Sequence, residues 1–184
     1  MGSEDELKSK FSNSFFSVVS SRHPTSGGDC SGDPGGLDTL KTIVSGSGSV
    51  VTQNPNCNKI TVENSSLKNN VVWELGTNPN GADSKETLNE IIKQIGKDRK
   101  LFLVTPYNNN SSSKEATGKI AKLYRDFAKS NDNVYIVDWA KAVEGKESKY
   151  LNEDGYHPNK EGQKLLVSLI SNAVSSSGSS SSSS

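Results

Sequence analysis

Val71-Val72-Trp73-Glu74-Leu75-Gly76-Thr77-Asn78 is an apolar run that stops abruptly at Gly-Thr-Asn. A short stretch rich in β-branched and aromatic residues, followed by loop chemistry, is the pattern of a buried parallel strand opening into a loop at its C-terminal end. In open α/β sheets that edge is where ligands bind, so Asn78 is placed at a candidate site. Downstream, helix and strand alternate. A helix is predicted from about Ser84 to Ile95, with Leu88, Ile91, Ile92 and Ile95 on one face and Gly96 as its C-cap. Leu101-Phe102-Leu103-Val104 is the next buried strand. Ala116 to Lys129 is helical, carrying Ile120, Leu123, Tyr124 and Phe127. Val134-Tyr135-Ile136-Val137 is the last strand and ends at Asp138-Trp139. This alternation predicts an α/β fold, a three-layer α/β/α sandwich around a mostly parallel sheet. Right-handed crossovers bring the strand ends, and the loops after them, to one edge.

Upstream the pattern is less regular. Ser3-Glu4-Asp5-Glu6 has the form of a capping box ahead of a short helix through Leu7 and Phe11. Phe15-Phe16-Ser17-Val18-Val19-Ser20 is predicted to be a strand. Thr25 to Gly36 is loop, and Leu37 to Val44 a short helix with Leu37, Leu40, Ile43 and Val44 on one face. Gly46 to Leu67 is an elaborated connection with a small hairpin at Val50-Val51 and Ile60-Thr61-Val62. Pro106 to Ser113 is a polar loop, expected to be mobile. Residues 1–174 make one domain. Ser175 to Ser184 is nearly all serine, too poor in apolar surface to offset its ordering entropy, and is expected to be a disordered tail.

The chain has 184 residues and a formal net charge of zero, which suits one core and argues against nucleic acid as a partner. No apolar run reaches membrane-spanning length, and no cationic-then-apolar leader opens the chain. Cys30 and Cys57 would close a loop in an oxidising compartment, or stand as two unrelated thiols in a reducing one. Metal-ligand spacing is absent, so no metal is expected. With no dinucleotide fingerprint or P-loop, no cofactor is expected either.

The chemistry concentrates in Asp154-Gly155-Tyr156-His157-Pro158, which holds one of only two histidines. Histidine is suited to accept and return a proton near neutral pH. Asp154, three residues earlier, is close enough to fix the imidazole tautomer and to stabilise the imidazolium. Pro158 fits the first turn of a helix, and Leu165, Leu166, Leu169 and Ile170 follow at helical spacing. The pair is therefore expected in a loop at the mouth of the last helix.

Gly76-Thr77-Asn78 and Asp154-Gly155-Tyr156-His157 together resemble the Gly-x-Asn and Asp-x-x-His blocks of the SGNH (GDSL-type) hydrolase superfamily. The Val-Val-Trp-Glu-Leu-Gly-Thr-Asn run and Val137-Asp138-Trp139 are similar to the extracytoplasmic SGNH domains attached to acyltransferase-3 membrane proteins, including peptidoglycan O-acetyltransferases. The resemblance covers about Phe15 to Ile170. It implies ester hydrolysis or acyl transfer on an acylated glycan of the cell envelope. It also implies an extracellular or envelope location and a parent protein tethered to a membrane acyltransferase domain. By resemblance His157 is the base, Asp154 its orienter, and the Asn78 amide an oxyanion donor. The competing role for Asn78 is that of a left-handed turn residue before Pro79. Ser21 takes the place of the block that donates a backbone N–H to the oxyanion, and Arg22 matches a substrate-binding arginine of the branch, unless it is a plain surface residue. His23 is a loop residue.

The nucleophile block, Gly-Asp-Ser, does not occur in this chain. Gly28-Asp29-Cys30 imitates it in the wrong order, and no strand precedes Met1-Gly2-Ser3. The first strand and its nucleophile are therefore expected to be missing, leaving an unpaired position at the sheet edge. A non-catalytic glycan-binding or scaffold domain on the same fold is the alternative. A flavodoxin-like binding domain ranks last.

Overall fold

The computed structural model describes residues 4–19, 21–53, 56–77 and 84–179. The chain opens with α1 (Glu4–Lys10), then α2 (Gly36–Ser45) and the strands β1 (Ser49–Thr52) and β2 (Asn58–Thr61). There follow β3 (Asn70–Trp73), α3 (Lys85–Ile95), β4 (Lys100–Val104), α4 (Lys114–Lys129) and β5 (Val134–Val137). The short helices α5 (Trp139–Val143) and α6 (Glu147–Tyr150) lead to α7 (Lys160–Ser179).

The main sheet has the order β3-β4-β5 and is parallel throughout, with Trp73 opposite Leu103 and Val104 opposite Val137. Period-two alternation divides its side chains between two cores. Trp73, Leu101 and Leu103 face Leu88, Ile91 and Ile95 of α3 and Ile120, Tyr124 and Phe127 of α4. Phe102, Val104 and Val137 face Trp139, Val143, Leu166 and Ile170. This is the predicted three-layer arrangement. Close packing at α2 requires glycine: a Cβ on Gly36 would lie 2.5 Å from Leu75 Cδ1 and 2.8 Å from the Trp73 ring.

The predicted hairpin is present, with β1 and β2 antiparallel. The capping box rests on Ser3, outside the described residues. Residues 15–19 do not form the expected strand. Val18 O accepts from Gln53 N at 2.7 Å, but the neighbouring bonds to β1 run through the Ser17 and Thr52 hydroxyls, so side chains replace the backbone ladder. The predicted helix start at Pro158 shifts to Lys160, because Asn159 takes the cap: its Oδ1 accepts from Gly162 N at 3.0 Å. The last helix also continues into the serine-rich stretch as far as Ser179, where Lys100 Nζ donates to the carbonyl of buried Ser177 at 2.5 Å. Ser180 to Ser184 lie outside the described residues.

β3 ends the sheet. Among the described residues its only partner strand is β4. A cleft of about 780 Å³ runs along its free edge, between β3 and residues 12–19, with Leu40 on one wall and Ile170 and Val174 on another. Glu74, just beyond β3, is exposed and lines this cleft.

Candidate active site

Asp154 and His157 form the expected pair, with Nδ1 to Oδ2 at 2.8 Å. The other carboxylate oxygen, Oδ1, accepts from the backbone N–H groups of Tyr156 at 3.1 Å and His157 at 2.9 Å. Partial burial works against the Asp154 charge, but these bonds and the one from the ring outweigh it and hold the carboxyl below its ordinary value. An ionised carboxylate only accepts hydrogen bonds, so Nδ1 carries the ring proton and Nε2 is left as the acceptor. The His157 side chain is 58% exposed, so Nε2 is open to a ligand. The Tyr156 ring packs beside the imidazole, centroids 4.2 Å apart.

The turn that presents this pair is built locally. Gly155 sits at φ +78°, a conformation strained for residues with a Cβ. Gly155 N donates to Asn152 O at 3.0 Å, and Asn152 N to His157 O at 2.8 Å. Below the turn, Leu151 and Pro158 form an isolated antiparallel bridge. Asn159 Nδ2 donates to Lys149 O at 3.0 Å and Leu151 O at 3.1 Å, tying α6 to the start of α7.

The loop after β4 meets this turn. Asn109 N donates to Gly155 O at 2.9 Å, and Asn110 Nδ2 to Asp154 O at 3.1 Å. The first part of this loop is buried, while residues 109–112 of its Asn and Ser run are exposed. Thr105, Tyr107 and Asn108 are buried, and the Tyr107 hydroxyl donates to Glu147. Burial, then the Glu147 carboxylate, pushes the Tyr107 phenol well above its ordinary value, so it remains a donor. Gly76, after β3, lies against Pro106 of the same loop, with φ +100°. The carboxyl edge of the sheet thus gathers Gly76, the β4 loop and the Asp154–His157 turn, as parallel topology requires. Asn78 itself lies outside the described residues.

Ser21 is exposed in a tight turn with φ +57°, in which Arg22 N donates to Val19 O at 3.4 Å. Arg22, a substrate-binding candidate by resemblance or else a surface residue, turns its guanidinium inward. Its Nη2 and Nε bind Asp33 at 2.6 and 2.9 Å, its Nη1 binds Ser17 O at 3.0 Å, and only 4% of its side chain is exposed. The Asp33 carboxylate is fully covered, so the guanidinium is the counter-charge that makes its burial tolerable. Cys30 and Cys57 form a disulfide with Cα atoms 5.5 Å apart, so Cys30 offers no thiol nucleophile. Among the described residues no hydroxyl is hydrogen-bonded to His157 Nε2. Asn109, Asn110, Tyr107 and Asn159 were not legible as site-building residues: only Asn159, just before a helical run, carried a cap signal.

No protein-family model matches the chain. Over 100 residues it is 39% identical to the O-acetyltransferase OatA of Staphylococcus aureus (strain NCTC 8325 / PS 47), a match that covers 54% of this chain and 15% of that protein. The chain therefore spans less than a sixth of the curated relative. The C-terminal catalytic domain of Streptococcus pneumoniae peptidoglycan O-acetyltransferase A, solved with a methylsulfonyl adduct, superposes with a TM-score of 0.56 at 25% identity, covering 63% of this chain and 69% of that one. An acetyl esterase mutant solved with an acetate ion shares the fold alone, at a TM-score of 0.51 and 14% identity over 97% of this chain and 90% of the other. The chain is thus similar in sequence to an O-acetyltransferase and shares its α/β architecture with a solved O-acetyltransferase catalytic domain, in line with the resemblance to SGNH hydrolases.

Proposed function

We propose that this chain acts on acetyl esters of a cell-envelope glycan, by hydrolysis or O-acyl transfer, with His157 as the proton shuttle and Asp154 as its orienter. The observation that carries this reading is the 2.8 Å bond from His157 Nδ1 to a carboxylate already held by two backbone N–H groups. His157 Nε2 takes the proton of an attacking water, or of an acceptor sugar hydroxyl in transfer, as the new C–O bond forms, then returns it to the departing alkoxide as the old ester bond breaks. Asn78 donates its amide to the developing oxyanion, with the Ser21 backbone N–H as the second donor. The disulfide supports an oxidising, extracytoplasmic setting. The similar peptidoglycan O-acetyltransferase domain supports a glycan substrate.

A second reading, glycan binding without catalysis, is favoured by the lack of any hydroxyl bonded to His157 among the described residues. Turnover of p-nitrophenyl acetate separates the two. Catalysis predicts turnover above background that falls by roughly 100-fold or more in His157→Ala. Equal rates in wild type and His157→Ala, with O-acetylated peptidoglycan still retained, would leave the binding reading standing.

A further inference from the structure

We propose that Asn110 is a positioning residue for the Asp154–His157 pair, acting through the Asp154 carbonyl; the inference rests on that pair being the working one. The carboxylate of Asp154 makes its own bonds only within the turn, to Tyr156 N, His157 N and His157 Nδ1. These bonds shape the turn but do not fix it against the sheet. The base of the turn is held by the Leu151–Pro158 bridge and by Asn159. Its tip is held from the β4 loop, by Asn110 Nδ2 on Asp154 O at 3.1 Å and Asn109 N on Gly155 O at 2.9 Å.

Asn110 is anchored well enough to do this. Its N–H donates to Oδ1 of Asn108, which is 6% exposed, at 3.0 Å. Its carbonyl accepts from Ser113 N and Lys114 N, both at 2.9 Å, at the start of α4. The amide is therefore carried by backbone continuous with β4 and α4, both packed in the core. The Gly155 turn also fits against it: a Cβ on Gly155 would stand 3.6 Å from Asn109 Cβ and 3.6 Å from Asn110 Oδ1. Without the Asn110 donor, the Asp154 carbonyl turns to water. The tip then samples orientations in which Oδ2 leaves Nδ1, and the imidazole loses its fixed tautomer.

The test uses the full chain, uniformly labelled with ¹⁵N, and long-range ¹H–¹⁵N correlations of the His157 ring above its titration. Wild type should show one tautomer, protonated at Nδ1. Asn110→Ala should show nitrogen shifts moved toward each other, as two tautomers mix. Lys119→Ala, which removes an exposed ion pair with Glu115 on α4, should match wild type. Unchanged methyl signals from Leu103 and Leu166 confirm an intact core. Where wild type turns over p-nitrophenyl acetate, Asn110→Ala should lose roughly tenfold in kcat with KM within about twofold. A single Nδ1-protonated tautomer in Asn110→Ala, or no kcat loss beside an active wild type, overturns the proposal. Tautomer mixing in Asn110→Ala beside an inactive wild type supports the positioning role and counts against the catalytic reading, so the two fail separately.

Discussion

Asp138 shows what a single side chain does at the carboxyl edge of this sheet. It accepts from Thr105 Oγ1 at 3.0 Å, Arg125 Nη2 at 2.6 Å and Arg125 Nε at 3.1 Å, and it caps α5 through Lys141 N at 3.4 Å. Burial opposes its charge, but Arg125 and Thr105 outweigh that and set its carboxyl below the ordinary value. A carboxyl depressed in the folded state contributes stability above its unfolded pKa, and that contribution is lost as pH falls through the lower, folded value. Arg125 is partly exposed, at 37%, so the ion pair is screened. Asp138→Asn is expected to cost about 1–2 kcal/mol at pH 7, with the difference from wild type shrinking as pH drops below about 4. Urea unfolding at a series of pH values measures both. A deficit unchanged down to about pH 2.5 would mean that the carboxylate charge is not what holds the cap. Residues of this kind divide by how local their partners are. Asp154 and His157 were legible because their bond spans three positions. Arg22 was not: its counter-ion Asp33 lies eleven positions away in a glycine-rich loop, and nothing in Ser21-Arg22-His23 says that the guanidinium points inward.

At the level of elements, hydrophobic period was decisive where an element has one wet face. Leu88, Ile91 and Ile95 mark α3, and Ile120, Tyr124 and Phe127 mark α4, because each helix buries one stripe against the sheet. The failures share a cause. The segment 15–19 has strand composition but bonds partly through hydroxyls, and the polar β4 loop makes contacts with α6 and the Gly155 turn that composition does not encode. The serine-rich extension of α7 is stabilised where Ser177 meets Lys100, a contact across 77 positions. The segment before α2 and the β1–β2 hairpin share only a small core: Val19, Cys30 and Val51 form a cluster of three. Their stability should therefore depend on the Cys30–Cys57 bridge, whose partners are 27 positions apart. Chain entropy gives about 3–4 kcal/mol for a loop of that size, or roughly 10 °C in Tm for a chain of this length. Cys30→Ser/Cys57→Ser should lose that amount, and dithiothreitol should impose the same loss on wild type and none on the variant. Equal Tm in variant and oxidised wild type would place the anchoring elsewhere, on the Arg22–Asp33 pair.

At the scale of the whole molecule, the sheet as described has an open edge at β3. The side of β3 away from β4 opens onto the cleft rather than onto another described strand. The alternation of elements from Val71 onward foretold the parallel sheet. What the sequence did not convey is that residues 15–19, among the described residues, line a water-accessible cleft beside β3 rather than pairing with it. An unpaired edge presents a row of N–H and C=O groups that can template pairing with another chain, and proteins blunt such edges with lysine. β3 carries no charge, and Val72, at 41% exposure, is the large apolar side chain left uncovered among the described residues. Val72→Lys should therefore reduce concentration-dependent light scattering on mild warming. Its position facing the cleft predicts that unfolding free energy stays within about 0.5 kcal/mol of wild type, as for a surface change. Lower scattering at unchanged stability would locate self-association at the β3 edge. Unchanged scattering would mean that the cleft walls already keep a second chain from reaching the edge, and that β3 tolerates its exposure without pairing. Loss of stability would show that Val72 packs against the α7 side of the sheet more closely than its exposure indicates.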